Sequence, residues 1–138
     1  MDRVDYQAAV NAGGNLQILC HKAAYDAGWW TAQGTLDPLE EVRKRSRIGK
    51  ALIAEKLALV HSEVSEGLEG LRKGLQDDKL PAREMLEVEL ADAVIRIADL
   101  AGALGFNLGE AIAEKLDYNA TREDHKPENR AKAGGKAL

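Results

Sequence analysis

The chain has 138 residues, of which 30% are charged and 4% aromatic, and a formal net charge of −4. This length fits one domain with a sizeable core, and the negative charge argues against a dedicated nucleic-acid-binding protein. A single cysteine, Cys20, excludes an internal disulfide framework, and no apolar run approaches the roughly 20 residues that span a bilayer. We therefore expect a cytoplasmic protein without a signal peptide, a membrane partner or a nucleic-acid partner.

The apolar pattern predicts an all-α fold, because strand-type alternation is absent. The first helix is expected from about Asn15 to Trp29, directly after the helix-breaking pair Gly13-Gly14. The segment 29–35 that follows contains two adjacent tryptophans. Such a loop either closes over a flat ligand or seals the end of a helical bundle.

A second helix is predicted to begin at Asp37-Pro38, with Asp37 as the N-cap, proline at the first position and Glu40 as the third residue of the turn. It is expected to continue with an interruption near Gly49. Basic residues cluster here: Arg43, Lys44, Arg45, Arg47 and Lys50. They could face phosphates, but pairing with Glu40 and Glu41 on a solvated face is favoured, and no recognition-helix arrangement supports DNA binding.

The longest predicted helix runs from Ile48 to Lys73 and has two apolar faces when projected at roughly 100° per residue. One stripe comprises Ile53, Leu57, Val60, Val64, Leu68 and Leu71. The opposite sector comprises Ile48, Leu52 and Leu59 and continues into Glu63 and Glu66. Acids that continue an apolar stripe are expected in a partly buried cleft, where they need a partner of opposite charge. Two apolar faces on one helix also predict an oligomer.

The next helix is predicted from about Pro81 to Leu104, after a helix end at Gly74 and a short polar connection. Its main apolar stripe comprises Leu86, Leu90, Ala93, Val94, Ile97 and Leu104. A narrow polar sector remains, which comprises Glu89, Asp92, Arg96 and Asp99. A connection this short makes the two helices antiparallel neighbours.

Two acidic pairs therefore face each other across the predicted hairpin. Glu63 with Glu66 and Glu89 with Asp92 each have i, i+3 spacing, which puts both members of a pair on one helix face. Four carboxylates in one pocket need cations, and oxygen ligands of this kind suit Mg²⁺ or Mn²⁺. The sequence thus favours phosphate chemistry at this hairpin.

A fourth helix, from about Leu108 to Arg122, is predicted from the capping box of Asn107 and Glu110. Lys115, Asn119 and Arg122 lie on one face near its end, where they could grip a polyphosphate. We place the helical domain at 1–124 and a basic tail at 125–138. The tail is either disordered or a lid that adds the charges of His125, Arg130, Lys132 and Lys136 over bound phosphate.

The two acidic pairs on consecutive helices, followed by Lys115-x-x-x-Asn119-x-x-Arg122, resemble the MazG-like members of the all-α nucleoside triphosphate pyrophosphohydrolase superfamily. The resemblance covers Leu52 to about Arg122 and extends to the basic tail. It implies a helical bundle of four to five helices, assembled as a homodimer or homotetramer. It also implies the Mg²⁺-dependent hydrolysis of nucleoside triphosphates to monophosphate and pyrophosphate, in nucleotide-pool house-cleaning.

By the same resemblance, Glu63, Glu66, Glu89 and Asp92 would hold Mg²⁺, and Glu63 would also activate water. Lys115, Asn119 and Arg122 would contact the β and γ phosphates. The base pocket is expected from the N-terminal region, with the candidates His21, Tyr25, Trp29 and Trp30.

Two alternatives remain open from the sequence. In the first, the enzyme is specific for one substrate, such as dUTP, dCTP or phosphoribosyl-ATP. A non-catalytic helical oligomer is the other, in which the acids form salt bridges between helices with Arg72, Arg83 or Arg96. Metal dependence distinguishes this last hypothesis from the enzymatic ones.

Overall fold

The computed structural model describes residues 1–123 and 126–132, apart from the side chain of Arg130. The regular secondary structure of these residues is helical, which confirms the all-α prediction. The helices are α1 (Arg3–Asp26), α2 (Pro38–Lys44), α3 (Arg47–Lys73), α4 (Met85–Ala103), α5 (Leu108–Thr121) and α6 (Pro127–Arg130). Within this described part of the chain, no helix has the length and apolar character that a membrane crossing requires.

The chain divides into two compact units. The first comprises residues 1–15 and the chain from Asn107 onward, and the second comprises residues 16–106. In the first unit, α5 packs against the beginning of α1, where the hydroxyl of Tyr6 donates a hydrogen bond to Glu110 at 2.9 Å. In the second unit, α3 and α4 form the principal helix pair, with α2 packed beside α3.

The pair Gly13-Gly14 does not break a helix, so the prediction that the first helix starts after it was wrong. Helix α1 begins at Arg3 and runs through both glycines. A Cβ atom on Gly13 would lie 2.7 Å from the Cα atom of Gly109, and one on Gly109 would lie 2.2 Å from the carbonyl oxygen of Val10. These glycines therefore allow α1 and α5 to approach closely, which a local breaker rule does not consider.

The start of α2 is as predicted. The carboxylate of Asp37 accepts hydrogen bonds from the backbone N–H groups of Leu39 and Glu40, at 2.9 and 3.2 Å. Two of the four unpaired N–H groups at the helix start are thereby satisfied. On the exposed side of this helix Lys44 pairs with Glu40, as expected for a solvated basic cluster.

The interruption that was predicted near Gly49 lies earlier, at Arg45 and Ser46. Arg45 ends α2 with φ 56°, and the hydroxyl of Ser46 accepts a hydrogen bond from the N–H of Gly49 at 2.9 Å and so caps α3. Gly49 is inside α3 and packs on α2: a Cβ atom there would lie 1.9 Å from the carbonyl oxygen of Glu41. The glycine thus marks a backbone contact between two helices.

Small residues bring α3 and α4 together. Gly67 and Gly70 face α4, and a Cβ atom on them would lie 3.4 Å from the Cβ atom of Glu89 and 2.9 Å from that of Met85. Since the later residue of α3 meets the earlier residue of α4, the two helices run antiparallel. Helix α4 also contains four buried alanines, at Ala93, Ala98, Ala101 and Ala103.

Helix α4 begins at Met85, so the expected start at Pro81 was wrong. The connection from α3 instead folds on itself. The buried carboxylate of Asp77 accepts hydrogen bonds from the N–H of Lys79 at 2.9 Å and from the next N–H at 2.6 Å, and the N–H of Asp77 donates to the carbonyl of Arg83 at 3.0 Å. These bonds hold Pro81 in a turn outside the helix.

The buried core of the second unit is small. It is centred on Trp30, Val42 and Ala103, with Ala24, Leu39, Leu52, Ile53 and Leu104 packed around it. Several residues of the predicted apolar stripes are between 43 and 61% exposed instead: Leu57, Val64, Leu68 and Leu71 on α3, and Leu90, Val94 and Ile97 on α4. Both long helices therefore keep an apolar surface in the single chain.

Candidate metal centre

Three carboxylates meet between α3 and α4. Glu63 on α3 and Glu89 and Asp92 on α4 each present a carboxylate oxygen, and these oxygens all lie within 4.8 Å of one another. Glu63 is 5% exposed and Glu89 is 7% exposed, while Asp92 is half-buried. The close helix approach at Gly67, one turn after Glu63, places the acids of α4 against those of α3.

Glu66, the fourth predicted acid, is exposed, but it lines the same cavity as the other three. The cavity has a volume of about 760 Å³ and lies wholly within the second unit. Leu75, Gln76, Leu80, Met85 and Val88 contribute to its wall. A cavity of this size admits a small organic ligand, because such ligands typically occupy about 300–1,000 Å³.

Arg96 introduces a positive charge into the acidic cavity. Its Nε donates a hydrogen bond to Glu63, and the side chains are 41 and 7% exposed, respectively. Arg72 and Arg83 are the other arginines of the salt-bridge hypothesis. Arg72 pairs with Glu69, three residues earlier, and Arg83 pairs with Glu87, four residues later. Among these three arginines, Arg96 is the one that bridges α3 and α4.

The clustering of acids perturbs Glu89. Burial is the largest cause that raises its pKa to about 7, followed by the hydrogen bond to Glu63 and by the negative charges of Glu66, Glu63 and Asp92. Around neutral pH Glu89 is therefore still protonated in a large part of the molecules, whereas an exposed glutamate is ionised. A divalent cation would offset the repulsion among these carboxylates and so favour the ionised form of Glu89.

Part of the cavity wall comes from the α3–α4 connection, which sequence reasoning treated as a polar linker. Asp77, Asp78 and Lys79 all line the cavity. The ammonium of Lys79 donates a hydrogen bond to Asp78, which raises the pKa of Lys79, with smaller contributions from Asp77 and Glu89. Asp77 could have been recognised from the sequence as the residue that organises this turn. Aspartate side chains just before a tight turn typically accept hydrogen bonds from the backbone N–H groups two and three residues later.

The predicted phosphate-binding residues belong to the first unit. Lys115 and Asn119 are on the last turns of α5, and Arg122 is its C-cap. The cations of Lys115 and Arg122 lie 4.8 and 6.0 Å from the ring centroid of Tyr118. The buried Oδ1 of Asn119 has no hydrogen-bond partner in the part of the chain that the structure describes. The three side chains thus share the end of one helix.

Two of the four base-pocket candidates are held by Asp99. His21 Nδ1 lies 2.9 Å from Asp99 Oδ1, and Trp30 Nε1 donates to the same oxygen at 2.8 Å. Trp30 is 2% exposed and belongs to the core, whereas Trp29 and Tyr25 are 71 and 56% exposed. Since Trp30 packs in the core, it seals this end of the helical unit.

Lys56 joins this aromatic group from α3. Its ammonium lies 4.8 Å from the ring centroid of Trp30 and 5.8 Å from that of Trp29. A cation over an indole face is a favourable contact, of roughly 0.5–2 kcal/mol. The contact was not expected from the sequence, because the residues are far apart in the chain.

The predicted basic tail is covered only in part. His125 and Lys136 lie outside the described residues, as does the side chain of Arg130. Lys132 donates a hydrogen bond to Asn129 at 2.6 Å. The assignment of 125–138 as a tail or lid stays a prediction, and so does the domain boundary at 124.

Comparisons with protein-family models, with curated proteins and with solved structures gave no match. The function is therefore inferred from the residues of the site and their geometry.

Proposed function

We propose that the protein is a Mg²⁺-dependent nucleoside triphosphate pyrophosphohydrolase, which converts a nucleoside or deoxynucleoside triphosphate and water to the monophosphate and pyrophosphate. The observation that carries this proposal is the group of three carboxylate oxygens within 4.8 Å of one another, on Glu63, Glu89 and Asp92. A MazG-like enzyme of nucleotide-pool house-cleaning would need such a site. Its place in a cavity of about 760 Å³ leaves room for a triphosphate beside it.

The donor set fits Mg²⁺ or Mn²⁺. All the donors are carboxylate oxygens, which these cations prefer over the nitrogen and sulfur ligands of Zn²⁺ or Cu²⁺. Burial and then the neighbouring acids raise the pKa of Glu89, and a dication would compensate the negative charge of the ionised carboxylates. Glu63, Glu89 and Asp92 would hold the cation directly, and Glu66 would complete the set from the exposed side of the cavity.

The reaction would proceed by attack of water on the α-phosphorus. A new P–O bond to the water oxygen forms, the bond between the α-phosphorus and the bridging oxygen breaks, and pyrophosphate leaves with the electron pair of that bond. When bound, the metal supplies neutralisation of phosphate charge. By the resemblance to MazG-like enzymes, Glu63 would also orient the water and accept its proton.

Lys115, Asn119 and Arg122 would stabilise the charge that accumulates on pyrophosphate. Lys115 is exposed on α5, so Lys115→Ala should leave the fold intact while it lowers kcat/KM, by about tenfold or more. Steady-state kinetics with a preferred triphosphate would measure this change. Lys44→Ala, which removes an exposed lysine of α2, is the matched control. An equal kcat/KM for the Lys115 variant and the wild type would exclude Lys115 from phosphate binding.

The exposed apolar surfaces of α3 and α4 support assembly as a homodimer or homotetramer. Leu57, Val64 and Leu68 of α3 are each close to half exposed, in a register that suits helix packing against a second copy. Light scattering should therefore give at least twice the monomer mass of 15.0 kDa. A monomer at micromolar concentration would contradict this prediction.

The proposed function is tested by pyrophosphate release from a panel of canonical and modified triphosphates, measured with Mg²⁺ and again with EDTA. Metal-dependent release would support the reaction, and the ranking of substrates would separate a broad enzyme from one narrowed to dUTP, dCTP or phosphoribosyl-ATP. Absence of release from every triphosphate, under conditions in which the protein is folded, would reject it.

The ion pair of Arg96 with Glu63 favours one competing function, a non-catalytic helical protein in which the acids serve helix packing. The two hypotheses differ in their response to metal. If the acids form a metal site, the melting temperature should rise with increasing Mg²⁺ concentration, because a ligand that binds only the native state stabilises it. An unchanged melting temperature in millimolar Mg²⁺ would favour the packing role.

A further inference from the structure

Arg96 contacts the acidic cluster with one part of its guanidinium. Nε donates to Glu63, and no other hydrogen bond of this side chain to a described residue is present. The side chain is 41% exposed and lines the cavity, whereas that of Glu63 is 7% exposed. The guanidinium is thus partly open to the cavity and to solvent, whereas the carboxylate that it contacts is buried.

The guanidinium and a divalent cation would use the same carboxylate. Glu63 lies within the oxygen cluster that suits a dication, and it is also the acceptor for Arg96. Two positive charges repel strongly at this range in a partly buried site. Without a dication, however, the arginine reduces the repulsion between Glu63 and its acidic neighbours.

We propose that the guanidinium of Arg96 takes the place of the metal cation in the metal-free protein and, when a divalent cation binds, leaves Glu63 to bind the polyphosphate of the substrate. The second half of this inference rests on the proposed function. The first half depends only on the cation site and can be tested without a substrate.

Geometry supports the polyphosphate as the second partner. Arg96 is one turn after Asp92 on α4, so its side chain leaves the helix on the face that carries the acids. The terminal nitrogens of arginine form a planar fork that matches two phosphate oxygens. Lys79, the other cation of the cavity wall, is already hydrogen-bonded to Asp78. Of these two cations, Arg96 offers the fork that matches two phosphate oxygens, which lysine lacks.

Isothermal titration of the full chain with Mn²⁺ alone tests the first half. Arg96→Gln should bind Mn²⁺ about tenfold more tightly than the wild type, because the competing charge is gone. Arg83→Gln is the matched control, since Arg83 lies just before α4 and pairs with the exposed Glu87. Unchanged or weaker binding by the Arg96 variant would overturn the proposal, because the arginine would then support the metal ligands rather than compete with the metal.

Arg96→Lys guards against loss of folding in the glutamine variant. Lysine keeps the positive charge but lacks the planar fork, so Mn²⁺ affinity should stay near that of the wild type while KM for a triphosphate rises by about tenfold. An unchanged KM at saturating Mg²⁺ would overturn the phosphate-binding half. If the wild-type protein binds Mn²⁺ but hydrolyses no triphosphate, the proposed function is rejected, and the Mn²⁺ titration still shows whether Arg96 competes with the cation. If neither the wild type nor any variant binds Mn²⁺, the proposed function and the competition are both rejected.

Discussion

Glu89→Gln should stabilise the metal-free protein near neutral pH and at the same time abolish the proposed reaction. Glutamine imitates the protonated carboxyl: its amide can donate a hydrogen bond to Glu63, and it carries no charge. The variant therefore has no carboxylate charge at this position for burial and the neighbouring acids to disfavour. The catalytic loss follows because one of three clustered carboxylates is gone.

The stability gain should depend on pH. Below the ordinary glutamate pKa of 4.5, Glu89 is protonated in both the folded and the unfolded chain and has no effect. As pH rises from there to about 7, the unfolded chain releases this proton while the folded protein keeps it, so the wild type loses stability. Above that range the loss is complete and reaches about 3 kcal/mol, because one pKa unit corresponds to about 1.4 kcal/mol.

Urea unfolding in EDTA, at about pH 4 and about pH 8, measures this difference. The variant and the wild type should be equally stable at the acidic pH, and the variant should be more stable at the basic pH. Glu87→Gln, an exposed substitution on α4, is the control and should change stability by less than about 1 kcal/mol at either pH. A gain that is equal at both pH values would contradict the electrostatic explanation.

Metal addition completes the test. Mg²⁺ should raise the melting temperature of the wild type and have a smaller effect on Glu89→Gln, which lacks one ligand. Pyrophosphate release should fall by at least about a hundredfold, since loss of even the outer partners of a metal site costs about 10–100-fold. Full activity in this variant would remove Glu89 from the proposed metal site.

Gly49→Ala should destabilise the second unit by more than about 3 kcal/mol. The added Cβ atom would lie 1.9 Å from the carbonyl oxygen of Glu41 and 2.9 Å from the backbone nitrogen of Val42. Both neighbours are backbone atoms, so no side-chain rotation can relieve the clash, and α2 must move away from α3. Val42 is fully buried in the core, so this movement would also disturb the packing around Trp30.

Gly14→Ala is the matched control for this prediction. Gly14 is inside α1, and a Cβ atom there has no neighbour within 4 Å. Alanine should therefore stabilise the helix by about 0.5–1 kcal/mol, through its lower backbone entropy in the unfolded chain. Thermal unfolding of both variants should shift the melting temperature in opposite directions. If Gly14→Ala lost as much stability as Gly49→Ala, the loss at Gly49 could not be explained by the clash with α2.

The helix caps and the pairing of the two long helices could be predicted from the sequence. Asp37 caps α2, Gly74 ends α3 with φ 63°, and Asn107 caps α5, each as expected from local hydrogen-bond chemistry. The meeting of Glu63 with Glu89 followed from their spacing and from a short connection between two helices. These features depend on interactions within a few residues or on one antiparallel pairing.

The wrong boundaries involve residues whose local preferences were overridden by tertiary contacts. Gly13 and Gly49 lie within helices at points where a neighbouring helix packs so closely that no side chain would fit. Pro81 precedes α4 because Asp77 organises the turn around it. The spacing of Gly67, four residues after Glu63, was a usable sign of close helix packing at the acids. The pairing of Arg96 with Glu63 could not be predicted, because it depends on side-chain positions that no sequence pattern specifies.

The fold of the α3–α4 connection has a practical consequence for protein engineering. An exposed polar link between two helices is usually the first choice for an internal fluorescent or affinity tag. Here an insertion would pull Asp77 away from the two N–H groups that it holds, and would open the floor of the acidic cavity. The segment 31–36, which is mostly exposed and does not line that cavity, is the better site for a tag.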